Sequence, residues 1–291
     1  MIFARWAAVL FVLSFLFFTP SLATDWLPVN PDELKMTGEP QAPGAPAIIL
    51  YRQVDRDDSG LTAHENDYVR IKILKEEGRK YADVEIPFFK GNGNIVNIHA
   101  RTIRPDGSIA NFEGKAFDKS IMKAKGLKYM AKTFTLPDVQ VGSVIEYYYT
   151  LDLPEYFVFD SHWILSDELF TKTAKFSLKP YVSSYGNMHL RWSWHLLPTG
   201  TEVPKEGPDH IIHLQAQNIP AFQTEDFMPP ENELKSRVDF TYTEDFDAKD
   251  PAQFWKNRGK KLNGFVESFA GKPKPMEQAV AQIVSASAPP M

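Results

Sequence analysis

The sequence predicts an all-β fold, an Ig-like antiparallel β-sandwich of roughly a dozen strands followed by a short α-helical C-terminal segment. Three observations carry that prediction. From Asp138 to Leu151 the chain alternates: Val139, Val141, Ile145, Tyr147, Tyr149 and Leu151 share one parity, and Gln140, Glu146 and Thr150 take the other with Val144 and Tyr148. Such period-two patterning with aromatic and β-branched residues marks a half-buried strand. Segments of similar character recur through most of the 291 residues, cut short by 22 prolines and 16 glycines, which favours short strands over long helices. Beyond Asp250 the apolar spacing becomes helical.

Residues 1–23 read as a signal peptide: Arg5, an apolar run from Trp6 to Phe18, then Ser21-Leu22-Ala23 as a small-x-small cleavage site. The run is shorter than the roughly 20 apolar residues a spanning helix needs. Cleavage and export to the periplasm or beyond are therefore expected, with membrane contact confined to the leader. The sequence contains no cysteine, which removes disulfides, thiolate metal sites, a lipoprotein anchor and a Cys nucleophile.

Residues 24–46 form a proline-rich lead-in with one short helix, where Asn30 caps, Pro31 fills the first helical position and Glu33 the third. The sandwich is expected over residues 47–245. Its strand candidates run from Ala47 to Val54, Tyr68 to Leu74, Ala82 to Phe89, Ile95 to Ile103, Ile109 to Phe112 and Val144 to Leu151. They continue from Tyr156 to Leu165, Phe170 to Leu178, His189 to Leu196, Asp209 to Ala216 and Arg237 to Thr243. Residues 246–291 are expected to be helical. Asp250-Pro251 opens one helix with Phe254, Leu262, Phe265, Val266 and Phe269 at helical spacing, and Pro275 opens another with Met276, Ala279, Val280, Ile283 and Val284. That apolar stripe is expected to belong to the start of a further helical domain.

The composition is 43% hydrophobic and 13% aromatic, enough for real cores. A formal charge of -5 leaves no basic footprint for nucleic acid. No G-x-S-x-G, P-loop, G-x-G-x-x-G or H-E-x-x-H sequence occurs. Asp55-x-Asp57-x-Ser59-Gly60 matches the first half of a calcium loop, but Asn66 occupies the position that needs a bidentate Glu, so an acidic hairpin turn is expected. His189, His195, His210 and His213 cluster in sequence only. The first two share a strand face but stand about 20 Å apart at ~3.3 Å per residue, and the last two face opposite ways. No metal or other cofactor is expected.

Trp163, Trp192 and Trp194 read as sandwich core, with an aromatic platform as the competing reading. The basic stretch from Lys115 to Lys132 is a solvated face or a grip for an anionic polymer or membrane surface. Lys119, Lys123, Lys125 and Lys128, together with the outward-parity Glu146 and Tyr148, are expected to form a partner surface.

Four segments carry a family resemblance: Ile48-Ile49-Leu50-Tyr51-Arg52, Tyr68-Val69-Arg70-Ile71-Lys72-Ile73-Leu74, Arg101 to Ser108 and Phe134 to Tyr147. They resemble the DUF3857 domain, with the stretch from Gly142 to Tyr147 as the most specific part. The resemblance runs from about Trp26 to Asp245 and implies an exported bacterial β-sandwich that precedes a transglutaminase-like domain. Phe254-Trp255-Lys256 through Ile283 is similar to the linker entering that domain. Its core would bring a Cys-His-Asp triad; with no cysteine here, no catalytic residue carries over. The expectation is a non-catalytic domain of a transglutaminase-like protein, structural or substrate-presenting, that ends before the catalytic core. The alternative is a stand-alone cell-envelope module that binds peptide or polysaccharide.

Overall fold

The computed structural model describes residues 26–60, 62–91, 93–124, 127–153, 160–182, 188–243, 250–270, 277–278 and 280. The expected leader, the second C-terminal helix apart from three positions, and Lys125 lie outside the described residues. Two long strands set the architecture, β1 (Ala47–Asp57) and β2 (Ala63–Ile73). Then come β3 (Asp83–Phe89), β4 (Asn94–Ile103), β5 (Ile109–Asn111), β6 (Phe117–Ala124), β7 (Leu127–Thr135), β8 (Val144–Leu153) and β9 (Asp160–Ile164). The remainder are β10 (Thr171–Lys179), β11 (His189–His195), β12 (Lys205–Glu206), β13 (Ile212–Ile219) and β14 (Arg237–Thr243). One eight-stranded sheet runs β12-β13-β10-β1-β2-β8-β4-β5, and two three-stranded sheets run β11-β14-β9 and β3-β7-β6.

The fold is therefore a β-sandwich, with two details the sequence did not carry. Strands β1 and β10 pair in parallel, which antiparallel alternation cannot disclose and which the long stretch of chain between them permits. The second layer is also divided into two small sheets. β1 runs beneath both, and a bulge between Ile49 and Tyr51 changes its parity on the way. Ala47 and Ile49 thus face one core before the bulge, while Arg52 and Val54 continue on the same face after it, opposite Val69 and Asp67 of β2.

That face carries two apolar clusters. Beneath β3-β7-β6, Ile49, Val69, Ile71 and Ile145 pack against Val84, Ile86, Phe88 and Phe134. Beneath β11-β14-β9, Val54, Phe176, Leu178 and Leu214 meet Trp163, Val238 and Phe240, with Trp163 edge-on to Phe240 at 4.5 Å between centroids. Part of the opposite face is closed by the lead-in. Val29, Leu34, Met36, Ala42 and Ala45 cover Ile48, Leu50, Leu74, Ile103, Val144 and Phe170. Within the lead-in, α1 (Pro31–Lys35) starts as its sequence dictates, the Asn30 side chain accepting from the Asp32 amide at 2.9 Å.

The basic stretch from Lys115 to Lys132 forms the β6–β7 hairpin, a pair that its lysine-rich composition concealed. Helix α3 (Pro251–Ala270) begins with Asp250 accepting from the Ala252 amide at 2.9 Å. Its Trp255, Leu262, Phe265, Val266 and Phe269 are exposed. Among the described residues, no helix is long and apolar enough to cross a membrane.

Candidate functional site

Where the second layer divides, the inner face of the large sheet opens as a cleft of about 500 Å³. The physical cause lies in the floor: Arg52 of β1, Asp67 of β2 and Tyr147 and Tyr149 of β8 interrupt the run of aliphatic side chains. An apolar layer cannot cover such groups without leaving their polar atoms unpaired. One wall comprises Tyr81, Asp83, Val84 and Glu85; the other comprises Ser166, Asp167, Glu168 and Leu169 of the β9–β10 connection, with Lys235.

Most of the charged groups in the walls already have partners. Glu85 accepts from Lys119 at 2.5 Å, Asp83 from the Thr135 hydroxyl at 2.6 Å, and Glu231 from Lys235 at 2.5 Å. Arg52 donates to the Ile164 carbonyl at 3.0 Å. Glu231 belongs to α2 (Glu231–Leu234), just before β14. Asp67 differs. It is 6% exposed and has no ion pair among the described residues, though the Tyr149 hydroxyl reaches it. Burial, followed by the neighbouring Glu65 carboxylate, pushes its pKa up to about 8, against the opposing pull of Arg52. Burial raises Glu65 in the same direction. Desolvation also holds the Tyr147 and Tyr149 phenols above their ordinary range, while Tyr81 is raised to about 12 by desolvation and the nearby Glu168 and Asp167.

The floor can therefore offer a protonated carboxyl and phenol hydroxyls to a ligand, or a carboxylate to a cation. Residue chemistry alone did not single out this group; the signal available was the pair Glu65 and Asp67 on the apolar parity of β2, between Val69 and the turn.

The sequence-derived partner residues do not assemble. Lys119 and Lys128 lie exposed on β6 and β7, Lys123 lies in β6 with its side chain outside the description, and Lys125 is outside it altogether. Glu146 and Tyr148 stand on the other face of the large sheet, beneath the lead-in. Glu146 is fully buried and accepts from Arg70 Nε and Arg101 Nε, both at 2.6 Å, and from the Tyr68 hydroxyl. Arg70 continues to Glu33 and to the Leu27 and Pro28 carbonyls. Arg101 lies over the Trp26 ring at 4.5 Å, and Tyr148 packs between Trp26 and His99. The expectation that Glu146 meets an external partner is corrected: the chain's own lead-in occupies that face. Parity assigns a side of the sheet and says nothing of what covers it.

Two other candidates also resolve. Asp57 accepts from Ser59, and Asp58 is buried against Arg56 and the Tyr242 hydroxyl, which leaves the acidic turn without a convergent ligand set. Among the described residues no three His, Cys, Asp or Glu groups converge to hold a metal ion. Trp163 is core, Trp192 is half-buried with its indole N–H on the Pro204 carbonyl, and Trp194 is 47% exposed near the end of β11. A second, open trough of about 1080 Å³ lies on the outer face over β10 and β13, where Gln53, Asp55 and Ser177 bond chiefly to one another.

The divided second layer and the polar-floored cleft define a mostly β protein of sandwich form. A family model for a domain of unknown function with a solved structure, DUF3857, matches residues 61–223. The match spans more than half of the chain, and the protein belongs to that family. No curated protein matches it. Among solved structures, it is similar to a candidate protease from Parabacteroides distasonis, at 14% identity and a TM-score of 0.55, with 68% of this chain and 40% of that one covered. That likeness concerns the fold, and this chain spans 40% of that protein's length. A candidate nutrient-binding protein from Legionella pneumophila aligns at 9% identity and a TM-score of 0.32, over 67% of each chain.

Proposed function

We propose that this chain is the non-catalytic, ligand-holding part of an exported protein, presenting a peptide segment to a transglutaminase-like unit. The observation that carries this reading is the cleft, a preformed concavity with a buried polar floor, the usual form of a small-ligand or side-chain site. Its lining has carboxyls and phenols but neither a thiol nor an imidazole to activate a nucleophile. Membership of the DUF3857 family and the apolar side chains exposed on α3 support a role beside another domain. The cleavable leader read from residues 1–23 supports export.

The test is to assay the purified chain for peptide binding and for acyl-transfer or amidase turnover. Binding without turnover is the expected result. Turnover that disappears in Asp67→Asn would make the cleft an active site and end the non-catalytic reading.

A second reading, a stand-alone cell-envelope module for polysaccharide, draws on the exposed Trp194 and the polar trough on the outer face. Saturable glycan binding lost in a Trp194→Ala variant would favour it.

A further inference from the structure

The geometry of the cleft points to a definite ligand class: we propose that it receives a positively charged group, the ammonium or guanidinium of a lysine or arginine side chain in a peptide, seated between Asp67 and the rings of Tyr147 and Tyr149. This rests on the reading of the cleft as a peptide-holding site and goes further by naming the chemistry it recognises.

Three independent features converge. Asp67 is more than nine-tenths buried, lines the cleft and has no ion pair among the described residues; Arg52 acts on it through space while donating to the Ile164 carbonyl. A buried carboxylate without a counter-charge is costly, a cost that a proton avoids in the empty site and a cation offsets in the filled one. The cleft, at about 500 Å³, falls within the range that holds a long side chain and its flanking backbone. Aromatic rings and negative charge dominate its lining: Tyr147 and Tyr149 bring rings of the kind that attract a cation, the Tyr81 ring already has Lys80 Nζ 4.9 Å from its centroid, and Asp167 and Glu168 outweigh Lys235, which is held by Glu231.

Binding then exchanges one positive charge for another. The groups around Asp67 are Arg52 and Asp55 from β1, Glu65 from its own strand, and Tyr149 and Tyr147 from β8. In their field the empty site keeps a proton on the Asp67 carboxyl at neutral pH. When the ammonium or guanidinium arrives, the carboxyl O–H bond breaks, both electrons stay on oxygen, the proton leaves to solvent and the cation pairs with the carboxylate. Affinity should therefore rise with pH until the empty site is itself ionised.

The experiment is isothermal titration of the full chain with N-acetylated, C-amidated Ala-Lys-Ala, Ala-Arg-Ala, Ala-Gln-Ala and Ala-Glu-Ala, at pH 6 and pH 8 and in buffers of different ionisation enthalpy. The Lys and Arg peptides should bind at least ~10-fold more tightly at pH 8 than at pH 6, with about one proton released at pH 6. Asp67→Asn, which mimics the protonated acid in shape and charge, should weaken binding at least ~10-fold at pH 8 and abolish proton release. Equal binding of the Gln or Glu peptide would overturn the cation inference and leave the peptide-holding reading standing. Lysine binding without proton release, unchanged in Asp67→Asn, would remove Asp67 from the site. No binding by any peptide would overturn both readings.

Discussion

Asp67 and Glu146 are buried carboxylates on adjacent central strands of one sheet, yet on opposite faces and with opposite surroundings. Glu146 is met by two guanidinium groups and a phenol, so it is buried as an ion. Removing one member of such a network leaves the rest uncompensated, and Glu146→Ala should cost about 3–5 kcal/mol in chemical denaturation. Asp67 is buried without a counter-charge, and its raised pKa sets the sign of its pH dependence. From the unfolded pKa of about 4 to the folded value of about 8, the native state holds a proton that the unfolded chain has released. Asp67's contribution to stability should thus be fullest below about pH 4 and fall by up to about 1.4 kcal/mol per pH unit as pH rises towards 8. Asp67→Asn should remove that component, seen as a flatter plot of denaturation midpoint against pH. Gly142 gives a third residue-level prediction. At φ +90 it makes the turn before β8, and its carbonyl accepts from the buried Lys72 ammonium at 2.5 Å. Gly142→Ala should cost about 1–2 kcal/mol, read as a lowered Tm, because an L side chain is strained there. Parity alone assigned Tyr147 and Tyr149 to the interior. It could not show that Asp67 would have no ion pair among the described residues, because that depends on where Arg52 goes after the bulge in β1.

Elements announced themselves in proportion to how local their causes are. The caps of α1 and α3 are written in Asn30 and Asp250, and both helices start where those residues stand. Most strands follow from alternation and are found within a few residues of the expected limits. The β6–β7 hairpin does not, because Lys119, Lys123, Lys128 and Lys132 take positions that alternation would reserve for apolar side chains. Parallel pairing of β1 with β10 depends on a distant partner and leaves no local trace, and β12, two residues paired with the following strand, is too short for alternation to mark. Helix α3 exposes most of its apolar residues, with Phe269 at 95%. Phe265→Ser and Phe269→Ser should each change the stability of the isolated chain by no more than about 0.5 kcal/mol in a thermal melt, whereas comparable changes at Phe176 or Phe240 in the core should cost about 3 kcal/mol or more.

At the scale of the molecule, one long sheet is covered on part of its outer face by the lead-in and on its inner face by two small sheets that part over polar residues. The composition foretold a sandwich; the parting could not be read from it, because it arises from where the bulge in β1 directs Arg52 and from which side chains of β2 and β8 lie opposite. The central claim is that this parting is where the protein holds its ligand. Hydrogen–deuterium exchange of the full chain, with and without a saturating lysine-containing peptide, tests it most directly. Slowed exchange is predicted at residues 81–85 and 166–169, the two walls, with little change elsewhere. Protection confined to residues 199–207 and 213–218 around the outer trough, with the walls unchanged, would contradict the account.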